Sequence, residues 1–212
     1  MRGEDVGVTA MGAGAEPPGT VLPGNLAEAV AAELAGERMR FLFFWKPEPV
    51  TPGVVGPECL GQWWEGEFTE DGHAFRTAEH YMMAHKAWLF GDAEIADKVL
   101  AAGHPREVKR LGRQVRGFSE DVWREHRTGI VTRGNLAKFG SSPELRDYLV
   151  GTRGRVLVEA SPLDRIWGIG LGARSEDAMH PSRWRGPNLL GFALMAVRDA
   201  LIPGGSAAAP PA

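Results

Sequence analysis

The stretch Thr77-Ala-Glu-His-Tyr-Met-Met-Ala-His-Lys-Ala-Trp-Leu-Phe-Gly91 decides the reading of this chain. Its residues suit a helix, with Thr77 as N-cap and Gly91 as the stop. A solvent-facing helix carries a polar stripe opposite its apolar one. Here the only full charges are Glu79 and Lys86. At ~100° per residue they fall within about 20° of each other on one face, and ~10 Å apart along the axis. That spacing is too long for a simple surface ion pair and wide enough to bracket a small molecule. A carboxylate and an amine on an apolar helix are costly to bury unless they are partnered or used. The helix therefore reads as the floor of a site. A plainer reading stays open beside it. A Glu early in a helix after Thr also serves capping and the dipole, and a Lys can snorkel from a buried stem to solvent.

Upstream, Phe41-Leu-Phe-Phe-Trp45 is a short aromatic run of strand type, followed by a Pro/Gly-containing loop to Pro57. Cys59 to Trp64 forms another apolar segment. Phe68 to Phe75 reads as a hairpin, because Asp71-Gly72 is a favoured tight-turn pair. Downstream the pattern is helical. Gly91-Asp92 separates the first helix from a second ending near Gly103. Pro105 opens a third, which is expected to end near Gly117. Ser119 caps a fourth reaching roughly Phe139, and Ser142-Pro143 opens a fifth ending at Gly151. Arg155 to Ala160 reads as a strand, Ser161 to Pro187 as a long loop rich in Gly, Arg and Trp, and Asn188 to Leu201 as a last apolar helix. The expected class is α+β: a mostly helical single domain over residues 39–202 with a few short strands. Residues 1–38 read as a disordered or loosely docked arm, with a short helix available from Asn25, and residues 203–212 as a flexible tail.

Composition narrows the function. With 212 residues and 43% hydrophobic content the chain can bury a sizeable core. A net charge of −3 argues against a general polyanion binder, while leaving room for a local basic patch. The single cysteine, Cys59, excludes an intramolecular disulfide and offers no cysteine cluster for zinc; it reads best as a small buried hydrophobe. No apolar run of ~18 residues and no basic-then-apolar start are present, so the expectation is a soluble cytoplasmic protein without a membrane span.

Two further segments attract notice. Ser161-Pro-Leu-Asp-Arg-Ile-Trp-Gly-Ile-Gly-Leu-Gly172 follows a strand, places Asp164 and Trp167 before Gly168, Gly170 and Gly172, and could let backbone approach a phosphate or ribose. Its spacing is not that of a dinucleotide fingerprint, and a turn with a core Trp accounts for it equally well. In Trp184–Gly191, Asn188 stands at the start of the last helix, where it can cap the helix or meet a polar ligand group. The histidines form no metal site: His80 and His85 are not at the i, i+4 spacing of a zincin, and His73, His104, His126 and His180 are scattered. The basic residues of Arg106–Arg116 and Arg124–Arg133 read mainly as solvated helix faces.

Taken together and in order, several motifs resemble the YbiA-like NADAR family. They are Phe43-Phe44-Trp45, Gln62-Trp63-Trp64, Thr77 to Lys86, Gly134-Asn-Leu-Ala-Lys-Phe139, Leu157-Val-Glu-Ala-Ser-Pro-Leu-Asp-Arg-Ile-Trp-Gly168 and Gly186-Pro-Asn-Leu-Leu-Gly191. The resemblance spans Phe41 to Leu201 and leaves residues 1–38 outside. It implies N-glycoside hydrolysis, either of a phosphorylated ribosylamine of riboflavin synthesis or of an ADP-ribosyl adduct, ADP-ribosylated nucleic acid included. It implies a site built from Glu79, Lys86 and Asp164 as catalytic groups, with Trp167, Asn188, Gly168 and Gly170 around the substrate. No cofactor and no metal are called for. Trp167-Gly168 is followed here by Ile169-Gly170, where some members carry Asp-Gly, which leaves substrate choice open.

These residue types suit that chemistry. Breaking a ribosyl C–N bond builds positive charge on the sugar, which a nearby carboxylate stabilises or answers by activating water. The leaving nitrogen needs a proton. Lys86 can bind phosphate, or attack a ring-opened ribose aldehyde as a Schiff-base amine. Trp167 can stack on the base or close over the sugar, and Asp164 can accept from ribose hydroxyls or act as a second carboxylate. A non-catalytic module sensing ADP-ribose would use the same pocket, and a helical interaction protein with Glu79 and Lys86 as buried partners is the third reading.

Overall fold

The computed structural model describes residues 21–48, 51 and 53–202. The expected tail and residues 1–20 of the expected arm lie outside the described residues. The arm's helix, α1 (Leu26–Leu34), starts at Asn25, whose side chain accepts from the Glu28 N–H. Its Glu33 carboxylate accepts from Ser182 N at 2.8 Å and meets His180 Nδ1 at 2.9 Å, so the helix is tied to the body.

The body follows in chain order. Strand β1 (Phe41–Phe44) precedes a 3₁₀ turn over Pro57–Leu60. Strands β2 (Phe68–Glu70) and β3 (His73–Phe75) form an antiparallel hairpin pairing Phe68 with Phe75. Asp71 and Gly72 turn it with φ of 49° and 77°, the doubly positive geometry that matches strand twist. Then come α2 (Ala78–Leu89), α3 (Ala93–Ala101), α4 (Pro105–Gly112), α5 (Glu120–Gly140) and α6 (Pro143–Gly151), capped in turn by Thr77, Asp92, His104, Ser119 and Ser142. Strand β4 (Val156–Glu159) and helix α7 (Leu189–Leu201) complete the fold. The class is α+β.

Two expectations shift. Helix α4 stops at Gly112 rather than near Gly117. The chain turns there to carry Arg116 back to Asp92, which accepts from its main-chain N at 2.8 Å and from its guanidinium. The long loop after β4 also contains two 3₁₀ turns, Glu176–Met179 and Pro181–Arg183. They are closed by the Trp184 indole donating to Ala178 O at 2.9 Å.

Strand β4 pairs in parallel with β1, in register Phe41 with Val156 through Phe44 with Glu159. Val156, Leu157 and Val158 are fully buried there, with Leu190 and Leu194 of α7 in the same core. Each such aliphatic side chain contributes about 1.5–3 kcal/mol by leaving water. Helices α2 and α5 approach closely at Gly134, where a Cβ would lie 2.3 Å from the Tyr81 ring. This contact seats α2, and with it Glu79, against the longest helix. Among the described residues no helix is long and apolar enough to cross a membrane.

Candidate active site

Glu79 occupies the first turn of α2, but the cap does not consume it. Thr77 Oγ1 accepts from the His80 N–H, and the returning contact comes from His80 Nδ1 at 2.8 Å. His80 Nε2 reaches Ala102 O at 3.1 Å, which fixes the ring as a buried structural group. The Glu79 N–H donates instead to Gln62 O at 2.9 Å. Its carboxyl is left to face a buried polar cluster, with the residue only 4% exposed. Burial pushes it up to about 7, and Asp164 adds to the rise. Lys109, a hydrogen bond from the Trp63 indole, and Lys86 pull in the other direction.

Trp63 is placed from the other side of the core. Lys138, wholly buried on α5, donates to Cys59 O at 2.6 Å and Gly61 O at 3.0 Å. One turn earlier, Asn135 donates to Gln62 Oε1 at 3.0 Å and to Val131 O at 2.9 Å. The motif Gly134-Asn-Leu-Ala-Lys-Phe139 thus clamps the segment that delivers both Gln62 O and Trp63 to Glu79. Burial lowers Lys138 to about 8 and raises the Cys59 thiol to about 12, so Cys59 is an inert thiol in this setting.

The loop after β4 brings Asp164 to the same cluster. Asp164 Oδ1 accepts from Ile166 N at 2.9 Å and Trp167 N at 2.8 Å, so the carboxylate shapes the turn that holds half-buried Trp167. Sequence reasoning passed over a third carboxyl. Glu159, the last residue of β4, is raised to about 8 by burial, then by Asp164 and Glu79, against the pull of Lys109. Its Oε2 is out of contact with solvent and has no hydrogen-bond partner among the described residues. A carboxylate closing the apolar run Val156-Leu-Val-Glu159 is the signal that marks it in the sequence. Lys109 of α4, on a helix face expected to be solvated, is the cation whose field reaches both glutamates.

Three residues expected around the substrate have close protein partners. Asn188 is fully buried with φ of 55°, and its side chain makes no capping hydrogen bond to α7. Its Oδ1 accepts from Glu159 N at 3.0 Å and its Nδ2 donates to Leu157 O at 2.8 Å, tying the start of α7 to β4. Gly168 and Gly170 are close-approach positions, but what approaches is protein. A Cβ on Gly168 would lie 2.7 Å from Glu159 O, and one on Gly170, with φ of 67°, would lie 2.9 Å from Arg185 Cβ.

Lys86 is half-buried on the same stripe as Glu79, one end farther along. Its Nζ donates to Gly112 O at 2.8 Å and sits 4.1 Å from the Phe118 ring centroid, with Trp123 behind at 5.6 Å. Burial lowers its pKa, while Glu120 and Glu79 oppose the shift. The amine therefore lies within the electrostatic field of Glu79 rather than in contact with it.

Two surface cavities lie elsewhere. One of about 340 Å³ is lined by Glu65, Arg76, His80 and Pro105, and one of about 430 Å³ by Lys98, Glu107 and Gln114. Neither includes Glu79, Glu159 or Asp164. Chemistry, not volume, marks the site. Two desolvated glutamates on separate elements share the field of Asp164 and of Lys109, and environments that shift neighbouring carboxyls are how proteins separate acid from base at neutral pH. Among the described residues no group of three or more His, Cys, Asp or Glu side chains is disposed to hold a metal ion.

Residues 43–202 match the NADAR domain. The N-glycosidase R617 of Acanthamoeba polyphaga mimivirus is 40% identical over 168 residues, covering 77% of this chain and 97% of that protein. The chloroplastic riboflavin biosynthesis protein PYRR of Zea mays is 34% identical over 142 residues, which are 63% of this chain and 21% of the maize protein. The NMR structure of the Escherichia coli protein YbiA superposes with a TM-score of 0.59 at 23% identity, over 76% of this chain and 84% of YbiA, and shares the fold. On the match across three quarters of its length, the chain belongs to the NADAR domain family.

Proposed function

We propose that this protein is an N-glycosidase that hydrolyses a ribosyl C–N bond at the cluster around Glu79. The observation that carries the reading is the buried Glu79 carboxyl, held by Trp63 and sharing its region with the carboxyls of Asp164 and Glu159. Several relatives carry the name N-glycosidase, which supports the reaction class. The maize relative's name favours a phosphorylated ribosylamine of the riboflavin route as substrate, with ADP-ribosyl adducts, nucleic-acid-borne ones included, as the second candidate class.

In this scheme ionised Glu79 faces the anomeric carbon. There it stabilises the developing positive charge and takes a proton from the attacking water. The closed surroundings strengthen that interaction and limit competing water. Asp164 accepts from ribose hydroxyls while its Oδ1 keeps the Trp167 turn in shape, and Trp167 covers the sugar or base. Lys86 has its ammonium held against Gly112 O and the Phe118 ring, where it binds a phosphate or, deprotonated, attacks an opened ribose aldehyde. The scheme uses no metal and no cofactor. A cytoplasmic setting belongs to the same reading, and the unpaired buried thiol of Cys59 suits a reducing compartment.

The test is incubation of the pure protein with a panel of N-ribosides, read by mass spectrometry for the freed base or amine. Release from at least one phosphorylated or ADP-ribosyl member is expected. Tight binding of ADP-ribose with every N-riboside left intact would instead make the protein a sensor. Borohydride added to the same reactions separates the two roles of Lys86. A trapped adduct mapping to Lys86 supports the covalent role, and turnover without any adduct leaves it as a phosphate ligand.

A further inference from the structure

Glu159 is a half-buried residue with one carboxyl oxygen sealed from solvent, and the scheme above gives it no task. It ends β4 at the point where the strand's register with β1 terminates, opposite Phe44. Its backbone is fixed on both sides: its N–H donates to Asn188 Oδ1 at 3.0 Å and its carbonyl accepts from Ile169 N at 3.0 Å. Gly168 packs against it, with no room for a Cβ beside the Glu159 carbonyl. The backbone is thereby held in one place, and the side-chain Oε2 has neither solvent nor a hydrogen-bond partner among the described residues. A charge on an oxygen so placed is costly, and a proton on the carboxyl lowers that cost. The charged groups that face it are Glu79 of α2, Asp164 of the following loop and Lys109 of α4. Two of these three are negative, so the field of the site also favours a proton on Glu159.

We infer that Glu159 is the general acid of the site, holding the proton that the leaving nitrogen takes as the C1′–N bond breaks. This rests on the glycosidase reading above and adds the group that completes its proton balance. As the C1′–N bond breaks, its electron pair goes to the nitrogen, which takes the Glu159 proton. Water oxygen bonds to C1′ and gives one proton to Glu79. The cluster then holds one proton, as it did before, and its return from Glu79 to Glu159 restores the starting state. The two glutamates act as a pair, one ionised and one neutral over the same neutral pH range.

The experiment compares Glu159→Gln with the wild-type protein on two N-ribosides. One has an amine or base that must be protonated to leave; the other has a pyridinium that leaves without a proton. The variant is expected to lose about 10²-fold or more in kcat on the first and to lose little on the second. The alkaline limb of the wild-type pH profile should also disappear on the second substrate. Infrared difference spectra of the ligand-free proteins at pH 7 in the Glu79→Gln background, where residue 79 no longer titrates, supply a readout without turnover: a protonated-carboxyl band, lost when Glu159→Gln is added. Equal losses on both substrates, or a band that survives the substitution, would overturn the acid role and leave Glu159 as a structural group. Absence of wild-type turnover on every N-riboside would overturn the glycosidase reading itself. The infrared arm would still report where the proton resides.

Discussion

Replacing Glu79 by glutamine is expected to lower turnover by about 10³-fold or more while the fold is kept. The substitution removes both the charge that meets the sugar cation and the base that accepts the water proton. It leaves a side chain of the same shape, whose amide oxygen can still accept from the Trp63 indole. The pH dependence follows from the direction of the shift. Burial raises Glu79 to about 7, so the wild-type rate should fall as pH drops below neutrality and the carboxylate is protonated. Stability should run the other way. A carboxyl raised above its unfolded value binds an extra proton in the native state, and its contribution is fully present below the unfolded value, near 4.5. That contribution is lost as pH rises through 7. Above neutrality the wild type keeps a buried charge that the glutamine variant lacks, so the variant should melt higher at pH 8 than the wild type. Paired melting curves at pH 5 and pH 8 check this, with the gain expected only at the higher pH. A variant that loses stability at both values would mean that Glu79 is a structural anchor rather than a strained functional group.

Gly191→Ala is the substitution with the largest expected effect on the fold. A Cβ at that position would lie 2.1 Å from Leu157 O and 2.5 Å from Asn188 Nδ2. Both neighbours are fixed. Leu157 O belongs to the buried β4 backbone and accepts from that same Asn188 amide at 2.8 Å. The first turn of α7 would have to lift off β4. That exchanges good packing for a gap on one side and leaves Leu157 O and Glu159 N short of their partner. A loss of about 2–4 kcal/mol is expected. Because the same amide holds Glu159, activity should fall by more than the folded fraction accounts for. Denaturant melts combined with rates normalised to folded protein test this. Unchanged stability would contradict the close packing of α7 on β4 from which the placement of Glu159 is argued.

How far the sequence could be read depends on how far apart the partners stand. The hairpin at Asp71-Gly72 and the caps at Thr77, Asp92, Ser119 and Ser142 are local, set within a few residues, and a linear reading finds them. The stripe bearing Glu79 and Lys86 is local in the same sense. What the linear reading lacked was the set of long-range partners that give those two residues their surroundings. Lys138 holds carbonyls 77 and 79 residues away, and Asn135 reaches Gln62 across 73. Those contacts carry Trp63 to Glu79, and neither pattern nor propensity encodes them. Asn188 shows the converse. Its place before a helix predicts a cap by local rules, but a left-handed backbone and a strand 31 residues upstream redirect its amide into the core. The glycine spacing at Gly168 and Gly170 points to close approach without saying of what. Only the assembled loop shows that the space belongs to Glu159 and Arg185.

The central claim is that the reacting sugar meets Glu79 inside the carboxyl cluster, and the Glu79→Gln protein offers the direct view of it. Crystals of that variant soaked with an uncleaved N-riboside should show the anomeric carbon beside the side-chain amide of residue 79. Asp164 should be at the ribose hydroxyls and Trp167 over the sugar or base. A ligand seated instead in the groove of Glu65, Arg76 and His80, with the cluster around residue 79 still closed, would contradict the account.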